Sequence, residues 1–254
     1  MPEKRETITD EELRRYNQQL SLIGRDGQER LKGAKILIAG AGGLGSPIAT
    51  YLAFAGVGRI VIADNDAVEV SNLNRQILHW TSDMGRKKTA SAKEKMLAMN
   101  PYLKVEAISC TIDEMSVDEI VGDADLIVDA LDNFPTRYLL NSIAVVRHIP
   151  FFHGAVRGFH GQVMTVIPHQ TACLRCVFPQ SPSPETFPII GVTPGVIGSI
   201  QATEVIKYIT GKGELLTDRL LLWDGLSGEM NTIHVKRNPA CQDCGHRSGP
   251  GGGE

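Results

Sequence analysis

No apolar run among the 254 residues reaches the length of a membrane span, and the first ten residues are polar and charged, unlike a signal peptide. A cytoplasmic protein with no membrane partner is the expectation. Charge of one sign is equally scarce: 26 basic residues against 29 acidic give a net charge of -3, so no surplus is available to hold a nucleic acid backbone. Cysteines number only five, and four of them fall in two C-x-x-C pairs. That usage suits a metal site in a reducing compartment and argues against a disulfide framework.

What is abundant is glycine placed to a pattern. Gly40-Ala41-Gly42-Gly43-Leu44-Gly45 follows the apolar run 35–39 and opens an apolar helical stretch over 46–56. A buried strand, a tight turn and a helix in that order make a phosphate cradle, because a helix N-terminus offers unpaired N–H groups and a partial positive charge. Gly40, Gly42 and Gly45 fit the G-x-G-x-x-G fingerprint, and Asp64 closes the next apolar run, 59–63, where a carboxylate would meet ribose hydroxyls. The fingerprint does not specify the nucleotide.

Ahead of this unit, Thr9-Asp10-Glu11-Glu12 signals a short helix. Gly24 and Gly27 bracket a loop, and a helical turn over 28–32 is stopped by Gly33. Beyond it, residues 64–76 are too polar for a core strand and sit where ligands bind in doubly wound folds, with Asn72, Arg75 and Gln76 placed to reach phosphates. A helix over 85–99 opens on Lys87 and Lys88 against its own dipole, a mismatch that favours an anion there. Residues 104–110 alternate like a strand, and 125–131 form a buried parallel strand ending in Asp132-Asn133. An acid at that strand end can hold the magnesium that bridges nucleotide phosphates, and Asn133 can cap the helix over 135–147. Strands over 150–156 and 161–168 form a hairpin around 157–160, where the parallel sheet gives way to an antiparallel one. A helix over 195–210 and a closing antiparallel pair, 220–224 and 230–236, follow.

Cys173, Cys176, Cys241 and Cys244 supply four thiolates for a tetrahedral structural zinc, which leaves no open position for chemistry. His79, His153, His160, His169 and His246 are isolated and read as surface or hydrogen-bonded residues. The prolines of 179–184 make a stiff connector. The expected fold is α/β: a Rossmann-like sheet whose parallel N-terminal half continues into antiparallel strands, with a structural zinc site. It divides into an N-terminal helical arm (1–34), a nucleotide-binding Rossmann-like region (35–150), an antiparallel and zinc-bearing region of the same domain (151–246) and a disordered tail (247–254).

The glycine turn, Ser71-Asn72-Leu73-Asn74-Arg75-Gln76, Lys88, Asp132-Asn133, the stretch 195–202 and the paired knuckles together resemble the MoeB/ThiF/HesA adenylyltransferases of the ubiquitin-activating superfamily. The resemblance implies ATP-dependent adenylation of the C-terminal glycine of a ubiquitin-like sulfur carrier ending in Gly-Gly, with Mg2+ and Zn2+ as cofactors. By analogy, Asp64 holds the ribose, with Asp66 and Gly43 also in the nucleotide site. Arg75 and Lys88 clamp the phosphates, Asn72 and Gln76 assist, and Asp132, next to Asn133, holds magnesium. It also implies a homodimer and a separate sulfur donor, a sulfurtransferase or desulfurase.

Two departures stand out. Gln18 occupies the place of an arginine that in close relatives reaches the partner's ATP, leaving Arg14, Arg15 or Arg25 to substitute. No cysteine lies between Val177 and Pro194, where thioester-forming members keep one, and Cys110 reads as buried structure. The reaction is therefore expected to stop at the adenylate. Three other readings share some of these residues: adenylation of a tRNA base, a non-catalytic scaffold subunit, and an NAD-dependent oxidoreductase. The last would leave Arg75, Lys88 and Asp132 idle.

Overall fold

A computed structural model of the chain describes residues 5–181 and 187–245. The tail 247–254, His246 and the prolines at 182 and 184 lie outside the described residues.

Eight strands form one sheet in the order β3-β2-β1-β4-β5-β6-β7-β8. The first five are β1 (Lys35–Ala39), β2 (Arg59–Ala63), β3 (Lys104–Ile108), β4 (Leu126–Asp129) and β5 (Phe151–Arg157). They pair in parallel. Strands β6 (His160–Val166), β7 (Arg219–Asp224) and β8 (Glu229–His234) continue antiparallel, so the expected change of direction falls at the β5–β6 hairpin. The apolar runs dictate this. A parallel strand covered by helices on both faces must be apolar at every position, because successive side chains point to opposite faces. In β1, Ile36 and Ile38 enter one core and Leu37 and Ala39 the other, all fully buried. Each such isoleucine or leucine contributes about 1.5–3 kcal/mol from burial.

The first core lies under α2 (Asn17–Gly33), α3 (Gly45–Ala55), α4 (Lys88–Met99) and α8 (Val192–Thr210). The second lies under α5 (Val117–Val121) and α6 (Phe134–Val146), and takes in Leu174 of α7 (Leu174–Val177) and three of the paired cysteines. The chain enters through α1 (Asp10–Arg15), where Thr9 and Glu12 form a reciprocal capping box as the acidic start signal predicts.

The structure departs from the expectations at five points. Residues 24–27 are not a loop: α2 runs through them with a kink at Gly24 (φ 73°, ψ 170°). Helix α8 begins three residues before Gly195, at Val192, and α4 begins at Lys88, after the Gly85 turn. The short helices α5 and α7 carry too few residues to show a period and were not expected. Cys110 lies beyond the end of β3 and is only half buried, not a core residue of that strand.

Candidate nucleotide site and four-cysteine cluster

The glycine turn joins β1 to α3 at the carboxyl end of the central strands. Two of its glycines are there because backbone passes too close for a side chain. A Cβ on Gly45 would sit 2.0 Å from the Gly40 carbonyl oxygen, and one on Gly40 (φ +107°) would sit 2.5 Å from the Ala130 oxygen. The other two leave space for neighbours: Gly42 faces Gln76 Nε2 and Gly43 faces Pro194 and the Arg75 stem. Among the described residues, the N–H groups of Gly42, Gly43 and Leu44 donate to no protein acceptor. No acid stands in the first turn of α3, so the positive end of its dipole is uncompensated. The turn thus presents free donors and positive potential to an anion.

Asp64, at the end of β2, accepts the Ala41 N–H (2.8 Å) and the Asp66 N–H (2.8 Å), which ties this loop to the turn and leaves carboxylate lone pairs for a further donor. Asn72 sits in a one-turn 3-10 helix, Val70–Asn72, buried, its Oδ1 accepting the Glu69 N–H. Gln76 is buried, and its Oε1 has no hydrogen bond among the described residues. Arg75 is half buried and donates through Nη1 to the Ser71 oxygen and Asn74 Oδ1, leaving the rest of its guanidinium fork uncommitted. Lys88 is 5% exposed at the first turn of α4, and its Nζ is 2.7 Å from Asp66. That pair answers the dipole mismatch locally, and Lys87 donates to the Asn65 oxygen. Asp132 and Asn133 are exposed beyond β4, and Asn133 caps α6 by accepting the Thr136 N–H.

On the face of the sheet covered by α6 the four cysteines converge. Their sulfurs all lie within 4.8 Å of one another, with Cys173–Cys241 at 3.6 Å and Cys176–Cys244 at 3.3 Å. Zn–S bonds of about 2.3 Å place tetrahedral sulfurs about 3.8 Å apart, so the set fits zinc. Asn141, fully buried on α6, clasps both knuckles: its Oδ1 accepts the Leu174 N–H and its Nδ2 donates to Asp243. Arg175 pairs with Asp243 at 3.0 Å. Burial pushes the Cys176 thiol up to about 11, so a metal must displace its proton.

The ThiF family model matches residues 16–243. The chain belongs to the ThiF family. Among its relatives, the SAMP-activating enzyme E1 of Haloferax volcanii is 42% identical, with 92% of this chain and 89% of that protein covered. The sulfur carrier protein adenylyltransferase of Thermus thermophilus is 44% identical, over 93% and 92%. A solved structure of E. coli MccB with ATP superposes with a TM-score of 0.81 at 25% identity, covering 91% of this chain and 75% of that one.

Beneath the exposed Asp132 of this ThiF-family site lies a buried polar cluster with no sequence motif to announce it. Asp129, the last residue of β4, is fully buried, with His153 Nδ1 at 2.7 Å and Arg137 Nε at 3.2 Å from its Oδ2. The backbone of Leu131 is gripped from both sides: its N–H donates to Asp129 Oδ1, and its carbonyl accepts from Arg137 Nη2. Gln201, from α8, donates to the Asp129 carbonyl. Burial holds the His153 imidazole below its ordinary range despite Asp129, so the ring is neutral, donates from Nδ1 and accepts from Gln162 at Nε2 (3.1 Å). The sole hint in the sequence was an acid inside an apolar run, since a fully buried carboxylate demands partners. Which residues supply them depends on where β5 and α6 lie.

Proposed function

We propose that this protein adenylates the C-terminal glycine of a ubiquitin-like sulfur carrier using ATP. The observation that carries the reading is the anion cradle, the unpaired N–H groups of Gly42, Gly43 and Leu44, bordered by the Arg75 stem and by Pro194 of α8. Relatives named for activating SAMP and for adenylating a sulfur carrier protein support the same chemistry.

In this reading the carrier's carboxylate oxygen attacks the α-phosphorus of ATP, the bond to the bridging oxygen breaks and pyrophosphate departs. Such a displacement needs alignment and neutralisation of charge more than proton transfer. The turn holds phosphate oxygens through its N–H groups. Asp64 and Asp66 stand on the ribose side, where Asp64 already fixes the loop. Arg75 and Lys88 neutralise the polyphosphate, with Lys88 exchanging Asp66 for phosphate oxygen. Asn72, Gln76 and Asn133 complete the polar wall, and the orphaned Gln76 Oε1 gives it an acceptor to offer. Asp132 would hold Mg2+, which would add positive charge across the phosphates. Zn2+ at Cys173, Cys176, Cys241 and Cys244 is structural.

The product is a carrier acyl-adenylate, because no cysteine stands between Val177 and Pro194 to take the acyl group. A separate sulfur donor then converts it to a thiocarboxylate. The protein acts as a cytoplasmic homodimer, in which one of the exposed arginines Arg14, Arg15 and Arg25 replaces the arginine missing at Gln18.

The test is ATP/pyrophosphate exchange with purified protein and a Gly-Gly-terminated carrier. Exchange that depends on the carrier, and falls by more than about a hundredfold in Asp132→Ala with unchanged thermal stability, is the expected result. Carrier-independent exchange, or full activity in Asp132→Ala, would refute it.

A further inference from the structure

The turn that would hold phosphate is itself held by a histidine. His79 is 3% exposed and lies between the turn and α4, with Nε2 2.8 Å from the Ala41 carbonyl oxygen and Nδ1 2.9 Å from Ser91 Oγ. A carbonyl can only accept, so Nε2 carries the proton and Nδ1 is the acceptor for the Ser91 hydroxyl. Ser91 Oγ in turn accepts from Lys95 Nζ at 3.1 Å, and Lys95 is ion-paired with buried Asp83. Asp83 is anchored by the Trp80 N–H (2.8 Å) and by Arg86 (2.7 Å). Every donor in this chain points one way, from Lys95 through Ser91 and His79 to Ala41.

That direction has a geometric consequence. Across a trans peptide the carbonyl and the following N–H point oppositely, so pinning the Ala41 oxygen to His79 turns the Gly42 N–H away from the core and into the cradle. The Ala41 N–H is fixed as well, by Asp64. Both peptide planes at Ala41 are thereby set before any ligand arrives. A glycine-flanked turn would otherwise be free to flip them.

Resting on the proposed nucleotide reading, we infer that His79 is a positioning residue for phosphate binding: in its Nε2–H tautomer, set by the Ala41 carbonyl and completed at Nδ1 by the Ser91 hydroxyl, it aims the Gly42 N–H at the ligand. It touches neither substrate nor reacting atoms. Burial, with Lys88 and Lys95 facing the ring from α4, keeps the imidazole neutral against the opposing pull of Asp83 and the Ala41 carbonyl. The relay therefore keeps its direction at neutral pH.

The test compares ATP with adenosine by titration calorimetry on the full, zinc-loaded chain. His79→Leu should weaken ATP at least about tenfold, the scale of a lost hydrogen bond to a charged group, and leave adenosine within about twofold. His79→Gln, whose amide can donate to Ala41, should restore most of the ATP preference. Equal weakening of both ligands, no weakening, or no rescue by glutamine would overturn the inference. Should His79→Leu not fold, 15N spectra of histidine-labelled wild-type protein decide: a neutral ring protonated on Nε2 is expected, and protonation on Nδ1 or a charged ring at pH 7.5 refutes it. Wild-type protein that binds ATP no better than adenosine would instead remove the nucleotide reading and the inference with it.

Discussion

Replacing Arg137 by methionine should destabilise the protein in a way that depends on pH with a sign opposite to the wild type's own trend. In the wild type, Asp129 is fully buried between Arg137 and His153. Taking away one partner of a buried ion pair costs about 3–5 kcal/mol, because the other charge stays in the interior. Here a neighbour can respond. The folded wild type holds His153 neutral, its proton affinity depressed by burial. Below about pH 6.5 the unfolded chain then binds a proton that the folded chain refuses, so stability falls with pH. At pH 5.5 that single histidine costs up to about 1.4 kcal/mol relative to pH 7.5. In Arg137→Met, Asp129 has no other cationic partner among the described residues, and His153 should take up a proton to pair with it. Its folded affinity is then raised, and its stabilisation is present at low pH and lost as pH rises. The penalty of the substitution should therefore shrink by at least about 1.4 kcal/mol between pH 7.5 and 5.5. Contributions from His79 and from zinc release are common to both proteins and cancel in the difference. Urea denaturation at the two pH values measures it. An equal penalty at both would refute the claim that His153 and Arg137 serve the same carboxylate.

Two further outcomes are expected. One zinc per chain should be found by elemental analysis, lost in Cys176→Ser, and its removal by chelator should lower the melting temperature markedly, since metal binding to four thiolates is part of the folding energy. Substitution Gly24→Ala, where nothing lies within 4 Å of the added methyl but φ is +73° and ψ 170°, should cost about 1–3 kcal/mol through backbone strain alone, measured by thermal unfolding; no loss would mean that the α2 kink relaxes.

The sequence by itself determined the strand–turn–helix unit, the order of parallel then antiparallel strands and the set of four cysteines that converge. Each is written in local signals: apolar runs for strands buried on both faces, glycines where backbone crosses backbone, and thiol pairs at fixed spacing. It also placed Asp64 and Asp132 at strand ends, Lys88 at a helix start and Arg75 in the polar loop after β2, since those positions follow from the elements. Local signals read the break at Gly24 but not the residues after it: the helix resumes at once over 25–27 where a loop was expected, because packing of α2 against α8 and the first core holds this segment helical.

Only the tertiary structure decided the polar supports. Asp129, Arg137, His153 and Gln201 meet because β4, β5, α6 and α8 share one corner, and His79, Ser91 and Lys95 meet the turn because α4 packs across α3. Apart from Ser91 and Lys95, which share α4, these contacts join different elements, with His79 and Ala41 38 residues apart and Gln201 and Asp129 72 apart. A buried charge announces that it needs a partner, but the identity of that partner is a property of the packed core.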